Sequence, residues 1–328
     1  MTRHLNPPLF RRLACMAGLL FACGIPITGL SQDYPVKPIS IIVAYPPGSA
    51  TDNLMRPLAV ALQPLLGQPV VIDNRPGAQG LLGTEYGARA KPDGYTLLAG
   101  STTTLAASEG LFKKLGYDPI RDFQPVAGVG ATSQMFMVRA DHPSKDLNGF
   151  IALARKAAQP LPVGVGGSSA QVALALLSKV AGVTLTPIAY KGTPQALTDL
   201  IGGAIPMAVV DVGNAVPHIK SGRLVALSSS AAVRSVAAPA VPTLAETYPN
   251  VELVTWIALV APAGTSAAII DKLYAAIFRA VATPEMKARF VATSTEIDLV
   301  APAELGKRMQ RDQARWIELI KAAGIEPE

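Results

Sequence analysis

From residue 39 onward, short runs of β-branched and other apolar residues alternate with segments whose apolar residues recur at helical spacing. That order restricts the chain to layered α/β folds, with helices packed around a mostly parallel sheet. Strands are predicted at 39–44, 70–73, 95–99, 135–139, 185–189, 207–210, 224–228 and 257–260. Between them, Leu54, Leu58, Leu62 and Leu65 would share one helix face, as would Leu174, Leu177 and Val180. Pro57 and Pro64 fall inside the first of these helices and predict a kink or an early stop. Helix starts are marked by Ser49 with Asp52 three residues on, by Thr193 before Pro194, and by Thr283 before Pro284. A last helix should span 302–323 and stop at Gly324.

The amino terminus is of another kind. Residues 1–31 carry Arg3, Arg11 and Arg12, no acidic residue, and an uncharged stretch from 13 to 30. Basic end, short apolar core and small residues before a cut form the plan of a secretory signal peptide, with cleavage expected between Ser31 and Gln32. Two alternatives stay open: an uncleaved anchor, which Gly18, Gly24, Pro26 and Gly29 would interrupt, and lipid attachment at Cys23, for which Phe21 fits poorly. Cleavage would remove Cys15 and Cys23, leaving an exported chain without thiols. It would also remove half of the formal net charge of +6.

Composition then removes whole classes of function. A chain of 328 residues that is 50% hydrophobic and 16% charged is not a disordered protein. Its basic residues form no run, so a nucleic-acid partner is not expected. Outside the leader only His142 and His218 could supply imidazole, and no metal site is expected. The nucleophile elbow, the Ser-x-x-Lys pair, the His-Glu-x-x-His helix and the phosphate-binding Gly-Lys-Ser/Thr are all missing from the sequence. Gly164-Val-Gly166-Gly167 has Ser169 where a dinucleotide loop needs its third glycine. No cofactor and no enzymatic activity are expected.

Two segments suit the holding of a small anion. Gly48-Ser49-Ala50-Thr51 follows a predicted strand and opens a helix, and Gly167-Ser168-Ser169-Ala170 repeats that arrangement in the second half of the chain. Unpaired amides at a helix amino end attract carboxylate or phosphate without Lys or Arg. Each segment also reads as an ordinary Gly-Ser helix cap. Their occurrence in separate halves would let both face one ligand in a cleft.

YPVKPISIIVAYPPGSATDNLMRPLA resembles the opening of the Bug family, the TctC-like extracytoplasmic receptors of tripartite tricarboxylate transporters. The resemblance continues in order through GQPVVIDNRPGAQGLLG, KPDGYTLLAGSTTTLA, LGYDPIRDFQPVAGVG, IAYKGTPQALTDLIGG, VPTLAETYP and WIALVAPAGT. It implies a two-lobed type II periplasmic-binding (Venus flytrap) fold. One lobe would comprise 32–130 and 255–328, the other 131–254, with a small carboxylate held between them. It also implies a periplasmic monomer serving membrane transporter subunits. A ligand-occupancy sensor acting on a membrane partner is the alternative, and an enzyme on the same fold the remote one. Carried over residue by residue, the ligand-binding set is Tyr45, Gly48, Ser49, Ala50 and Thr51, then Ser101, Thr102 and Thr103, then Gly167, Ser168, Ser169 and Ala170. Asp211 matches an acidic position that can meet a ligand amino group, or else it caps the turn that follows it. Gln171, Val172 and Ala175 stand where family members often have His, Leu and Glu.

Overall fold

The computed structural model describes residues 34–249 and 251–327; the predicted leader with its cleavage site and both cysteines lies outside them. The chain runs β1 (Ile39–Val43), α1 (Ala50–Leu66), β2 (Val70–Asn74), α2 (Leu81–Ala88), β3 (Thr96–Ser101) and α3 (Ser108–Leu111). There follow β4 (Phe123–Arg139), α4 (Leu147–Lys156), β5 (Leu161–Val165), α5 (Ser168–Ala181), β6 (Leu185–Ala189), α6 (Thr193–Gly202), β7 (Met207–Asp211) and α7 (Val212–Lys220). The remainder is β8 (Leu224–Ser229), α8 (Leu244–Thr247), β9 (Val254–Pro262), α9 (Ala267–Ala282), α10 (Pro284–Ala292), β10 (Glu296–Val300) and α11 (Pro302–Ala322).

The strands line up in the order β2-β1-β3-β9-β4-β7-β5-β6, with β8 and β10 also pairing to β4. β1 pairs in parallel with β2 and β3, and β5 with β6 and β7. These two parallel groups are what the alternating pattern encodes. Joining them are β4 and β9, antiparallel to each other and to their other neighbours. The expectation of a mostly parallel sheet is therefore corrected. Two long strands cross between the groups, and a chain returning along its partner must pair antiparallel.

β4 shows how one strand serves both groups. Residues 123–133 pair with β9, and 134–138 pair with β7. Phe136 and Val138 enter a core with Phe150, Val163 and Leu177, while Met135 and Met137 enter another with Leu197, Leu200 and Val216. The period of two thus covers both faces of the sheet with helices. A third core gathers Leu98, Ala258 and Val260 under Met309, Trp316 and Ile320 of α11.

Helix α1 runs unbroken past Pro57 and Pro64. Its buried stripe of Leu54, Met55, Leu58, Leu62 and Leu66 outweighs the backbone bonds that the two prolines forgo. The starts at Ser49 and Thr283 cap as their sequences predict: Ser49 Oγ accepts from Asp52 N and Thr283 Oγ1 from Met286 N. α6 differs slightly: Gly192 is its cap and Thr193 its first residue. Among the described residues no helix is long and apolar enough to cross a membrane.

Candidate functional site

Loops that leave the carboxyl ends of parallel strands carry ligands in open α/β sheets, because helix amino ends gather there. Here five such edges meet. Tyr45 and Pro46 follow β1, Thr103 follows β3, Gly166 and Gly167 follow β5, Gly192 and Thr193 follow β6, and Asp211 ends β7. Together they line a cavity of about 90 Å³. The crossing strands add Thr132 and Gln134 from β4 with Thr255 and Ile257 from β9.

Hydrogen-bond accounting shows which amides are left for a ligand. In α1, Asp52 N donates to Ser49 Oγ at 3.3 Å and Asn53 N donates to Ser49 O, so the amides of Ala50 and Thr51 remain. In α5, Gly167 has no side chain with which to cap; Gln171 N donates to Gly167 O, and the amides of Ser168, Ser169 and Ala170 remain. α6 likewise begins at an uncapped Gly192, and Pro194 brings no N–H. Helix ends that leave donors unpaired at a cavity supply partial positive charge as well as hydrogen bonds.

The side chains around these amides are mostly tied to one another. Tyr45 Oη and Ser101 Oγ share a hydrogen bond of 2.8 Å, and Thr103 Oγ1 and Ser169 Oγ one of 2.9 Å. Ser168 Oγ donates to Gln79 Oε1. Burial pushes the Tyr45 phenol up, against smaller opposing effects from Ser101, Thr103 and Thr104, so it stays a neutral hydrogen-bonding group. Burial likewise raises the Asp211 carboxyl, although Asn214 and Thr193 donate to it. Asp52 has the opposite balance. Burial would raise it, but Arg56, the Gly48 amide and Asn74 hold its carboxyl below the usual range.

Of the residues singled out from the sequence, Tyr45, Ser49, Ala50, Thr51, Ser101, Thr103, Gly167, Ser168, Ser169, Ala170 and Asp211 all line this one cavity. Gly48 and Thr102 are placed elsewhere. Gly48 N donates to Asp52 Oδ2 at 2.9 Å, which locks the turn before α1. Thr102 Oγ1 accepts from Trp256 N at 2.8 Å and ties β3 to β9 beneath the cavity. Asp211 caps α7, accepting from Asn214 N at 3.1 Å, while it also borders the cavity. Gln171 and Ala175 border a different surface hollow, and Val172 is buried in the core.

Sequence reasoning missed Pro46, Thr132, Gln134, Gly166, Gly192, Thr193, Thr255 and Ile257 as lining residues. For the crossing strands the available signal was polar: Thr132-Ser133-Gln134 sits within an otherwise apolar strand. For Gly192-Thr193 it was a strand followed by Gly-Thr-Pro, the pattern already read at the other two helix starts.

The family model for the tripartite tricarboxylate transporter family receptor, TctC, matches residues 54–325. The chain belongs to this family. The TctC match covers all the described helix starts at the cavity except that of α1, which lies just before it. Among solved structures, the periplasmic binding protein BugD is similar with a TM-score of 0.85 and 30% identity, over 90% of this chain and 100% of that one. A protein of R. palustris solved with adipate has a TM-score of 0.87 and 28% identity, over 90% and 100%. MatC from Rhodopseudomonas palustris, with bound malate, has a TM-score of 0.83 and 31% identity, over 88% and 100%. The fold is the two-lobed α/β fold of periplasmic binding proteins, with β4 and β9 as the strands that cross between the parallel groups.

Proposed function

We propose that this TctC-family receptor takes a small organic carboxylate from the periplasm into the cavity between its lobes and delivers it to the membrane subunits of a tripartite transporter. The lobes divide as 32–130 with 255–328 against 131–254, and β4 and β9 act as the hinge. The observation that carries this reading is the convergence of the α1, α5 and α6 amino ends, with unpaired amides, on one cavity whose described lining contains no Lys, Arg or His. Such a site stabilises an anion by backbone donors and helix dipoles, and capture needs no covalent step. The adipate and malate of the two relatives support a carboxylate as the cargo. Tyr45, Ser49, Ala50, Thr51, Ser101, Thr103, Gly167, Ser168, Ser169 and Ala170 form the binding set, whereas Gly48 and Thr102 hold it in place.

The test compares Ser168→Pro with Ser168→Ala. Proline is compatible with the first position of a helix and deletes one amide, while alanine deletes only the hydroxyl. Carboxylates should raise the melting temperature of the purified protein, and calorimetry should show Ser168→Pro losing about tenfold more affinity than Ser168→Ala. Equal affinity for both variants would remove the amide anchor from the reading.

A further inference from the structure

Gln134 is 5% exposed and borders the cavity, yet its carboxamide forms no hydrogen bond with any described residue. Nor is that amide sealed in the core, since its atoms are not among the fully buried unpaired ones. Leaving such a group unpaired is costly unless a solute or water completes it. Its backbone, by contrast, is fixed on both sides: Gln134 N donates to Ser230 Oγ at 2.9 Å and Gln134 O accepts from Ser230 N at 2.8 Å. Its Cα is thus fixed on the crossing-strand side of the cavity, and the side chain starts from a set position.

Directly across the ladder, Gln134 pairs with Asp211. Paired residues of an antiparallel ladder project to one face with Cβ atoms about 5 Å apart. Asp211 Oδ1 accepts from Asn214 N and Asn214 Nδ2, and Oδ2 from Asn214 Nδ2 and Thr193 Oγ1. Every neighbour is a donor, an arrangement that favours the ionised form against the raise that burial imposes, and its acceptor sites are filled. This corner therefore offers a ligand one free neutral amide beside one negative charge, and no described lining residue is a cation.

The geometry points to Gln134 as a specificity residue: the ligand is a monocarboxylate whose other end is an uncharged hydrogen-bonding group paired with the Gln134 amide, and a second carboxylate is disfavoured by Asp211. This deepens the carboxylate-receptor reading and rests on it. It separates the expected cargo from the adipate and malate held by the two relatives. The free amide rewards a group that can both donate and accept, such as a carboxamide. A second carboxylate would meet a like charge with nothing to neutralise it.

The experiment measures calorimetric affinity for matched pairs of three to five carbons: malonamate and malonate, succinamate and succinate, glutaramate and glutarate. For the best-fitting length, the ω-amide should bind at least about tenfold tighter than its dicarboxylate. Gln134→Leu should cut ω-amide affinity about tenfold and leave the dicarboxylate within about threefold. Asp211→Asn retains a good helix cap and should raise dicarboxylate affinity about tenfold. If the dicarboxylate binds as tightly as its ω-amide or tighter, the inference fails and the carboxylate-receptor reading stands. If no member of any pair binds, that reading falls and takes the inference with it.

Discussion

Thr103 Oγ1 and Ser169 Oγ lie 2.9 Å apart, joining the segment after β3 to the first turn of α5. The two residues are far apart in the chain and belong to different parallel groups, so their bond spans the cavity they both line. Ser168 makes a second such tie to Gln79. Contacts of this kind exist only while the two groups are together, and they bias the molecule toward the arrangement in which the unpaired amides face one cavity.

Thr103→Val keeps the shape of the side chain and removes this tie. Because the bond is made only with the cavity closed, its loss should appear in ligand affinity and hardly at all in fold stability. About 1 kcal/mol is expected, or roughly fivefold weaker carboxylate binding in calorimetry. Ser169→Ala should do the same, and the double variant should be no worse than either single one, since both remove one interaction.

Asp52 should govern acid stability at the base of the site. Its carboxylate accepts from Gly48 N, Arg56 and Asn74, and its folded value lies below the ordinary 3.8. A lowered value contributes stability that is present above about 3.8 and is lost as pH falls through the folded value. Asp52→Asn should destabilise by about 1–2 kcal/mol at neutral pH, with the half-exposed Arg56 adding little, and should flatten the pH dependence below 4. Asp211 has the opposite sign: its raised value makes its contribution fade as pH climbs above 3.8, so Asp211→Asn should lose less stability at pH 7 than at pH 3. Urea melts of the three proteins across pH 3 to 7 would check both.

The elements that were legible in the sequence are those with a local cause. Leu185–Ala189 is a strand of β-branched and apolar residues, and α11 buries Leu305, Met309, Asp312, Trp316 and Ile320 at spacings of three and four. β5 escaped because Pro162 and Gly164 break its apolar run, and β10 because Glu296 and Asp298 leave it half exposed at an edge. The length of β4 was illegible for a different reason: its middle, Ala127-Gly-Val-Gly-Ala131, is glycine-rich because Val300 and Thr295 of the neighbouring segment press against Gly128 and Gly130. At the site, helix starts after strands could be read from Gly and Ser. Gln134 was only half legible: the polar run Thr132-Ser133-Gln134 stands out in an apolar strand, but polarity alone does not distinguish a residue facing a cavity from one facing solvent.

Ala78 and Gln79 carry φ values of 45° and 54° between Gly77 and Gly80, a left-handed turn that presents Gln79 to Ser168. For Ala78 that conformation costs roughly 1–2 kcal/mol relative to glycine, and its side chain is exposed. Ala78→Gly should therefore stabilise the protein by about 1 kcal/mol in urea melts, against the usual direction of an alanine-to-glycine change. Gln79→Gly relaxes the same strain but loses the tie to Ser168. It should raise fold stability while weakening carboxylate binding.

Gly192 is required for closure in a way that a helix cap alone does not demand. Its backbone is extended, so any residue could adopt it, but a Cβ there would meet Pro46 Cγ at 2.7 Å. Pro46 follows β1 and Gly192 follows β6, on opposite sides of the cavity. A proline ring cannot swing aside as a flexible chain end would, so Gly192→Ala must hold the two sides apart. Overpacking of this kind costs about 1–3 kcal/mol, and here the cost falls on the closed arrangement alone. Ligand affinity should drop by roughly tenfold or more in calorimetry, while the melting temperature of the ligand-free protein stays within a few degrees of wild type. A large drop in that melting temperature would mean that the two sides are packed together without ligand, and that Gly192 serves the fold more than the capture of a solute.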